Sequence, residues 1–254
     1  MVDPRLKLRI EAYYRAFNAR DEAAYLASFH PDGATGGTLT GQPAAGVGVQ
    51  RALLRTASGS MGDLHQHPKA LYQAQDEVAV AWEGEVKPPG GGPSIPVQGI
   101  SQFRFDGEAR ITWLRVFWDP QPLSGKAGKV DPALREAMEA YFRAFNGRDW
   151  DTLAALFAEG GLFGGTLAGP GLRGEASLRA IYESAVSRFP GIRMEPGLAF
   201  QAQGDLAVHW AGEAGGQDGR VHAIRGISFF GFDPGRRLTR YRIYWNPRAL
   251  LQEA

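Results

Sequence analysis

The side chains able to do chemistry in this chain are few, and the suggestive ones come in pairs. Tyr13 and Tyr141 each sit in an apolar stripe with helical spacing. Ser101 and Ser228 lie in strand-like segments, with the parity of Phe103, Phe105, Phe230 and Phe232. Such hydroxyls can hold an acceptor oxygen, and a buried tyrosine needs a partner that a ligand, a serine or a water could supply. Base chemistry would fall to histidine, whose ordinary pKa suits it. His222 shares the parity of Ile224, Gly226 and Ser228, which turns it inward and makes it the candidate base; Tyr141 and Ser228 would be its companions. His209 has the opposite parity from Val208 and Trp210 and is expected to face outward. His65 and His67 could offer two metal ligands on one strand face, but no third is evident and no metal is expected. Asp21 and Asp149 stand where a helix begins, and N-capping accounts for them. There is no cysteine and no glycine-rich phosphate fingerprint, so neither a thiolate nor a cofactor is expected.

These residues are positioned by a sequence written twice. AYYRAFNARD from Ala12 returns as AYFRAFNGRD from Ala140, matching at eight of ten positions with a shift of 128. The same shift carries GGTLTG at Gly36 onto GGTLAG at Gly164, and Trp82 onto Trp210. A shift of 127 carries Gly99-Ile100-Ser101 onto Gly226-Ile227-Ser228, and RVFWDP at Arg115 onto RIYWNP at Arg242. A period this long marks a duplicated domain, not a solenoid. The expected domains are residues 1–120 and 131–254, with residues 121–130, rich in Pro, Gly, Ser and Lys, as a linker. No histidine is shared by the two copies, so any histidine chemistry would belong to one of them.

Each copy opens on Asp-Pro, at Asp3 and Asp131, an N-cap followed by a first-turn proline. Leu6, Ile10, Tyr13 and Phe17, and then Leu134, Met138, Tyr141 and Phe145, trace the apolar stripe of a first helix. A second helix is expected over about 21–29 and 149–157, and a third over about 49–57 and 175–189. The remainder reads as strands, with alternation around Val78–Trp82 and Leu206–Trp210 and hairpins over 97–118 and 221–245. Helices followed by an antiparallel meander give an α+β fold, the helices lying on one face of the sheet. Trp118 and Trp245 recur as a pair, as do Trp82 and Trp210. On a concave sheet face they would wall an apolar ligand, or else pack the core.

Composition narrows the partners. At 254 residues and 44% hydrophobic content the chain can bury two cores. A net charge of +1 without long like-charge runs gives no electrostatic reason to expect nucleic acid or a membrane surface. No transmembrane or signal-like segment is legible, and a cytoplasmic protein is expected.

The tyrosine helix running into Asn-x-x-Asp (Tyr13 to Asp21) resembles the nuclear transport factor 2-like superfamily, as do the GIS-x-F-x-F strand (Gly99 to Phe105), Phe200 to Trp210 and the closing Trp-Asp-Pro or Trp-Asn-Pro. That superfamily includes ketosteroid isomerases and SnoaL-like polyketide cyclases. The resemblance spans both copies. It implies a tandem, cone-like fold, each copy a strongly curved sheet wrapped around a long N-terminal helix with two further helices, with an apolar pocket between sheet and helix. It also implies an intramolecular pseudo-dimer and a monomeric chain. Ketosteroid isomerases combine a proton-moving aspartate with a tyrosine and a protonated acid. By resemblance the tyrosine falls on Tyr13 and Tyr141, and the acid on Ser101 and Ser228. The aspartate falls at or near Gly37 and Gly165, which have no side chain to move a proton.

The expected ligand pocket therefore comprises Tyr13, Trp82, Ser101 and Trp118 in one copy, and Tyr141, Trp210, Ser228 and Trp245 in the other. The expected role is binding of a small apolar molecule. Proton-transfer chemistry through His222, or an association module with filled pockets, are the alternatives.

Overall fold

A computed structural model describes residues 2–59, 62–124 and 130–251. The first four residues of the expected linker, Gln121–Ser124, form a 3-10 turn, and residues 125–129 lie outside the described residues. The first domain contains α1 (Pro4–Ala19), α2 (Glu22–Leu26), β1 (Phe29–Gly37), β2 (Gly41–Ala45), α3 (Val47–Ser58), β3 (Asp63–Ala74), β4 (Glu77–Lys87), β5 (Ile95–Phe105) and β6 (Ile111–Trp118). The second repeats this order as α4 (Pro132–Gly147), α5 (Trp150–Ala155), β7 (Phe157–Gly165), β8 (Gly169–Arg173), α6 (Glu175–Arg188), β9 (Arg193–Ala202), β10 (Asp205–Gly215), β11 (Val221–Phe232) and β12 (Leu238–Trp245). Among the described residues no helix is long and apolar enough to cross a membrane.

Each domain has one six-stranded sheet, ordered β2-β1-β6-β5-β4-β3 in the first and β8-β7-β12-β11-β10-β9 in the second. The expected hairpins β5–β6 and β11–β12 are present and antiparallel. One pairing departs from a purely antiparallel sheet: β1 runs parallel to β6, and β7 parallel to β12. The intervening strands make this possible, because the chain leaves β1 and returns only at the far end of the meander. The second helices are shorter than expected, and Phe29 and Phe157 open strands instead of closing helices. In the first domain Pro31 follows closely, and it cannot sit inside a helix.

The first helix of each domain starts and stops by the same devices. Asp3 accepts from Arg5 N, and Asp131 from Ala133 N, each with proline inside the first turn. Both helices end on an arginine in the left-handed region, Arg20 at φ 57° and Arg148 at φ 59°. A non-glycine residue there is strained, and the guanidinium offsets this with grips of its own. Arg20 donates to the Phe17 carbonyl, and pairs with Asp63 on β3; Arg148 donates to the carbonyls of Phe145 and Ile192.

Two residues before each arginine, an asparagine binds the sheet like a short strand. Asn18 donates to Gln66 O and accepts from Gln66 N, both at 2.8 Å. Asn146 does the same to Met194, at 2.8 and 2.9 Å. The next aspartates, Asp21 and Asp149, cap α2 and α5 by accepting from Ala24 N and Thr152 N, as the sequence reading expected.

Asn146→Ala leaves a part-buried N–H and carbonyl of Met194 unpaired. Each such group costs about 1–3 kcal/mol, so chemical denaturation should show the second domain destabilised by at least that amount. An unchanged unfolding midpoint would contradict the role assigned to this clamp.

Candidate functional site

In each domain a cleft opens beside the tyrosine of the first helix. The first is lined chiefly by Tyr13, Leu39, Leu53, Leu64, Gln66 and Trp118. The second uses the equivalent positions, Tyr141, Leu167, Ile181, Ile192, Met194 and Trp245, with Trp210 and Tyr182 added. The free space is small, about 20 Å³ in the first and about 30 Å³ in the second. That is room for a water or two. Side chains fill most of both cones.

Of the expected pocket residues, Tyr13, Trp118, Tyr141, Trp210 and Trp245 line a cleft, whereas Trp82, Ser101 and Ser228 do not. Those three belong to a hydrogen-bonded group within the sheet. The Trp82 indole N–H donates to Ser101 Oγ at 3.1 Å, and the Trp210 N–H to Ser228 Oγ at 3.1 Å. The indole lies across a glycine directly opposite on the next strand, Gly99 for Trp82 and Gly226 for Trp210. A Cβ at either glycine would come within 2.3 Å of the indole ring. The glycine of the GIS motif is thus what lets the tryptophan reach the serine.

The serine's other partner is a tyrosine, but not the one the sequence reading paired with it. In the first domain it is Tyr14, whose hydroxyl donates to Ser101 Oγ at 3.3 Å. In the second, Tyr241 on β12 stands 2.9 Å from Ser228 Oγ. Position 14 is matched by Phe142, and Tyr241 by Leu114, so the same hydroxyl is served from a helix in one domain and from a strand in the other. The helix tyrosines that line the clefts repeat the pattern. Tyr141 bonds Tyr182 of α6 at 3.3 Å. Tyr13 packs on Tyr25 of α2, ring centroids 5.4 Å apart. The Tyr25 hydroxyl lies near enough to influence Tyr13 ionisation, yet it makes no hydrogen bond of ordinary geometry. Tyr25 and Tyr182 answer to Leu153 and Leu54 in the opposite copy.

Burial pushes the ionisation of Tyr13, Tyr14, Tyr25, Tyr141, Tyr182 and Tyr241 upward, so all six remain neutral at physiological pH.

His222 is not among the residues lining the second cleft. It sits at the start of β11, its Nε2 2.8 and 3.0 Å from the two carboxylate oxygens of Asp218 in the preceding turn. That hydrogen bond, the largest cause, holds the Asp218 carboxyl below its usual range. Strand parity indicated a face, but the hairpin end carries this face beyond the cleft. His65 stands 2.9 Å from Asp63 Oδ2, and His67 is exposed. Gly37 and Gly165 lie at a bulge with φ of 134° and 125°. A Cβ on either would approach the carbonyl oxygen of Val116 or Ile243 to 2.0 Å, so the backbone there admits glycine alone.

The exchange of tyrosines yields a prediction. Tyr14→Phe should cost the first domain about 1 kcal/mol in denaturant unfolding, and Leu114→Tyr in the same chain should recover part of it by rebuilding the arrangement of the second domain. A Tyr14→Phe variant as stable as the parent would show that the Ser101 bond contributes nothing.

No curated protein sequence matches the chain at a significant level. Solved structures resemble one half at a time. The Δ5-3-ketosteroid isomerase of Mycobacterium sp. is 23% identical, covering 47% of this chain and 97% of that one, with a TM-score of 0.40. An NTF2-like protein of unknown function from Burkholderia pseudomallei is 17% identical, covering 48% and 95%, with a TM-score of 0.43. A Mycobacterium tuberculosis protein crystallised with estradiol-17beta-hemisuccinate is 18% identical, covering 46% and 95%, with a TM-score of 0.40. The SnoaL-like domain family matches residues 10–113 and again 138–241, so the chain belongs to that family and contains its domain twice.

Proposed function

We propose that this protein binds a small, uncharged, largely apolar molecule in the cleft beside the helix tyrosine, and performs no acid–base chemistry on it. One observation carries the reading. Among the described residues, the lining of both clefts includes no carboxylate, imidazole or amine; tyrosine is its one titratable type. Those tyrosines are held neutral by burial, which suits them to donate a hydrogen bond and not to take a proton. By resemblance a base would fall at or near Gly37 and Gly165, and the backbone at these two glycines leaves no space for a side chain. The limited free volume further restricts the guest to a compact molecule, or requires the lining to move aside when a larger one enters.

Trp118 and Trp245 stand in the cleft walls, so binding should be visible in tryptophan fluorescence. Titration with toluene should give a saturable change whose midpoint is the same from about pH 6 to about pH 9, because no lining group has an ordinary pKa in that range. Absence of any saturable change would remove the binding proposal. A midpoint that follows a histidine or carboxylate titration would instead remove its acid–base-free part.

The buried tyrosines also set an alkaline limit. Their folded pKa values are raised, so the stability they contribute is fully present below the unfolded value of about 10 and is lost as pH rises from there through the folded values. Each buried tyrosine then steepens the loss by up to about 1.4 kcal/mol per pH unit. Tyrosinate absorbance should appear together with loss of folded structure above about pH 10. Titration of these tyrosines while the fold stays intact would contradict their burial.

A further inference from the structure

The shift of 128 residues reveals a difference in the interiors of the two domains. In the first, Tyr25, Thr35 and Gln50 are fully buried; Thr35 Oγ1 and Gln50 Oε1 have no hydrogen-bond partner among the described residues, and the Tyr25 hydroxyl, beside Tyr13, makes no hydrogen bond of ordinary geometry. The second carries Leu153, Phe163 and Leu178 at those positions, all within its apolar core. Native interiors rarely keep a polar atom without a partner, because desolvation is then uncompensated. These three fall in one domain, and each is hydrocarbon in the other.

The three residues come from elements that meet. Gln50 lies on α3, which packs against both α2, bearing Tyr25, and β1, bearing Thr35. Gln50 Nε2 donates to the Gly33 carbonyl at 2.6 Å, two residues before Thr35 on the same strand. This bond fixes the amide. Turned over, it would set Oε1 against the Gly33 oxygen, so the unpartnered atom remains an acceptor. Tyr13 links this group to the cleft, since it packs on Tyr25 and lines the free space. The cleft itself differs in the same sense, with Gln66 in the first domain where the second has Met194.

We infer that the inner end of the first cone recognises a hydroxyl group, carried by a small alcohol or phenol or by an internal water, and that the second cone lacks this recognition. The alcohol or phenol source rests on the cleft-binding function proposed above; the water source does not. Gln50 Oε1 requires a donor, which a carbonyl or carboxylate cannot supply. Thr35 and Tyr25 can each donate or accept. A hydroxyl does both, and is the simplest group that answers all three.

Phenol and toluene, close in size and differing in the hydroxyl, test this on the full chain. Calorimetric titration of the parent and of Gln50→Leu is combined with a high-resolution crystal structure grown without either probe. Phenol is expected to bind the parent about tenfold or more tightly than toluene, because a site built for a hydroxyl rejects the analogue lacking it. Gln50→Leu, which copies Leu178, should lose the preference and keep its toluene affinity. Thr35→Val should do the same, and replaces Gln50→Leu if that variant does not fold. Equal affinities in the parent, with an ordered water on Gln50 Oε1 and Thr35 Oγ1, would assign the hydroxyl to water and support the recognition. Equal affinities without that water would overturn it, as would a phenol preference that survives both substitutions. If neither probe binds, the cleft-binding function fails by itself, and the presence or absence of the water still decides this inference.

Discussion

A hydroxyl buried in the sheet must be partnered, and much of each domain is arranged around that requirement. Ser101 and Ser228 are almost wholly enclosed, and each takes an indole N–H from the neighbouring strand. The indole can reach only because the residue opposite it is glycine, so a polar need on one strand dictates the absence of a side chain on the next. The serine then draws in a tyrosine, and the domains supply it from different elements, α1 in one and β12 in the other. What persists is the satisfied hydrogen bond, not the residue that makes it. This is expected of a buried polar network, where leaving a member unpaired costs more than changing the side chain that answers it.

A second set of polar grips fixes where the first helix lies against the sheet. Asparagine, arginine and aspartate within four residues do separate jobs: Asn18 binds the β3 backbone, Arg20 closes the helix, and Asp21 opens the next one. Asn146, Arg148 and Asp149 repeat them. Since the asparagine bonds are bidentate and directional, they set the helix in depth and in rotation. That places the tyrosine five residues earlier against the cleft. The apolar stripe alone would bury the helix but would tolerate sliding along the sheet.

Much of this was legible in the sequence, for physical reasons that also explain the gaps. Helix caps are local and chemically specific, so Asp3, Asp21, Asp131 and Asp149 could be read directly. The β5–β6 and β11–β12 hairpins show clear alternation. The β1–β2 and β7–β8 hairpins do not, because Gly36, Gly37, Gly164 and Gly165 carry no side chain to alternate; Gly37 and Gly165 reflect the close approach of β6 and β12. Parity placed Ser101 and Ser228 on the inner face but could not name their partners. Tyr13 precedes Tyr14 by one residue, and only the fold determines which of the two reaches the serine. His222 shows the same limit, since a strand face continues past the end of the cleft it lines.

The comparison between copies goes further than either copy alone. Both retain the caps, the asparagine clamp and the serine–tryptophan pair, which are the parts that hold sheet and helix together. The differences gather inside, where Thr35, Gln50 and Gln66 of the first domain are replaced at the equivalent positions of the second by Phe163, Leu178 and Met194. Replacing buried polar groups with hydrocarbon of suitable shape is neutral or stabilising when no partner is available. The second interior has the composition such a change produces, with Phe163 and Tyr141 each in ring contact with both Tyr182 and Tyr241. The first keeps polar atoms whose desolvation its own side chains do not offset. A domain under selection for stability alone would be expected to resemble the second, so the polar interior of the first is the part of this chain that a requirement other than folding has to explain.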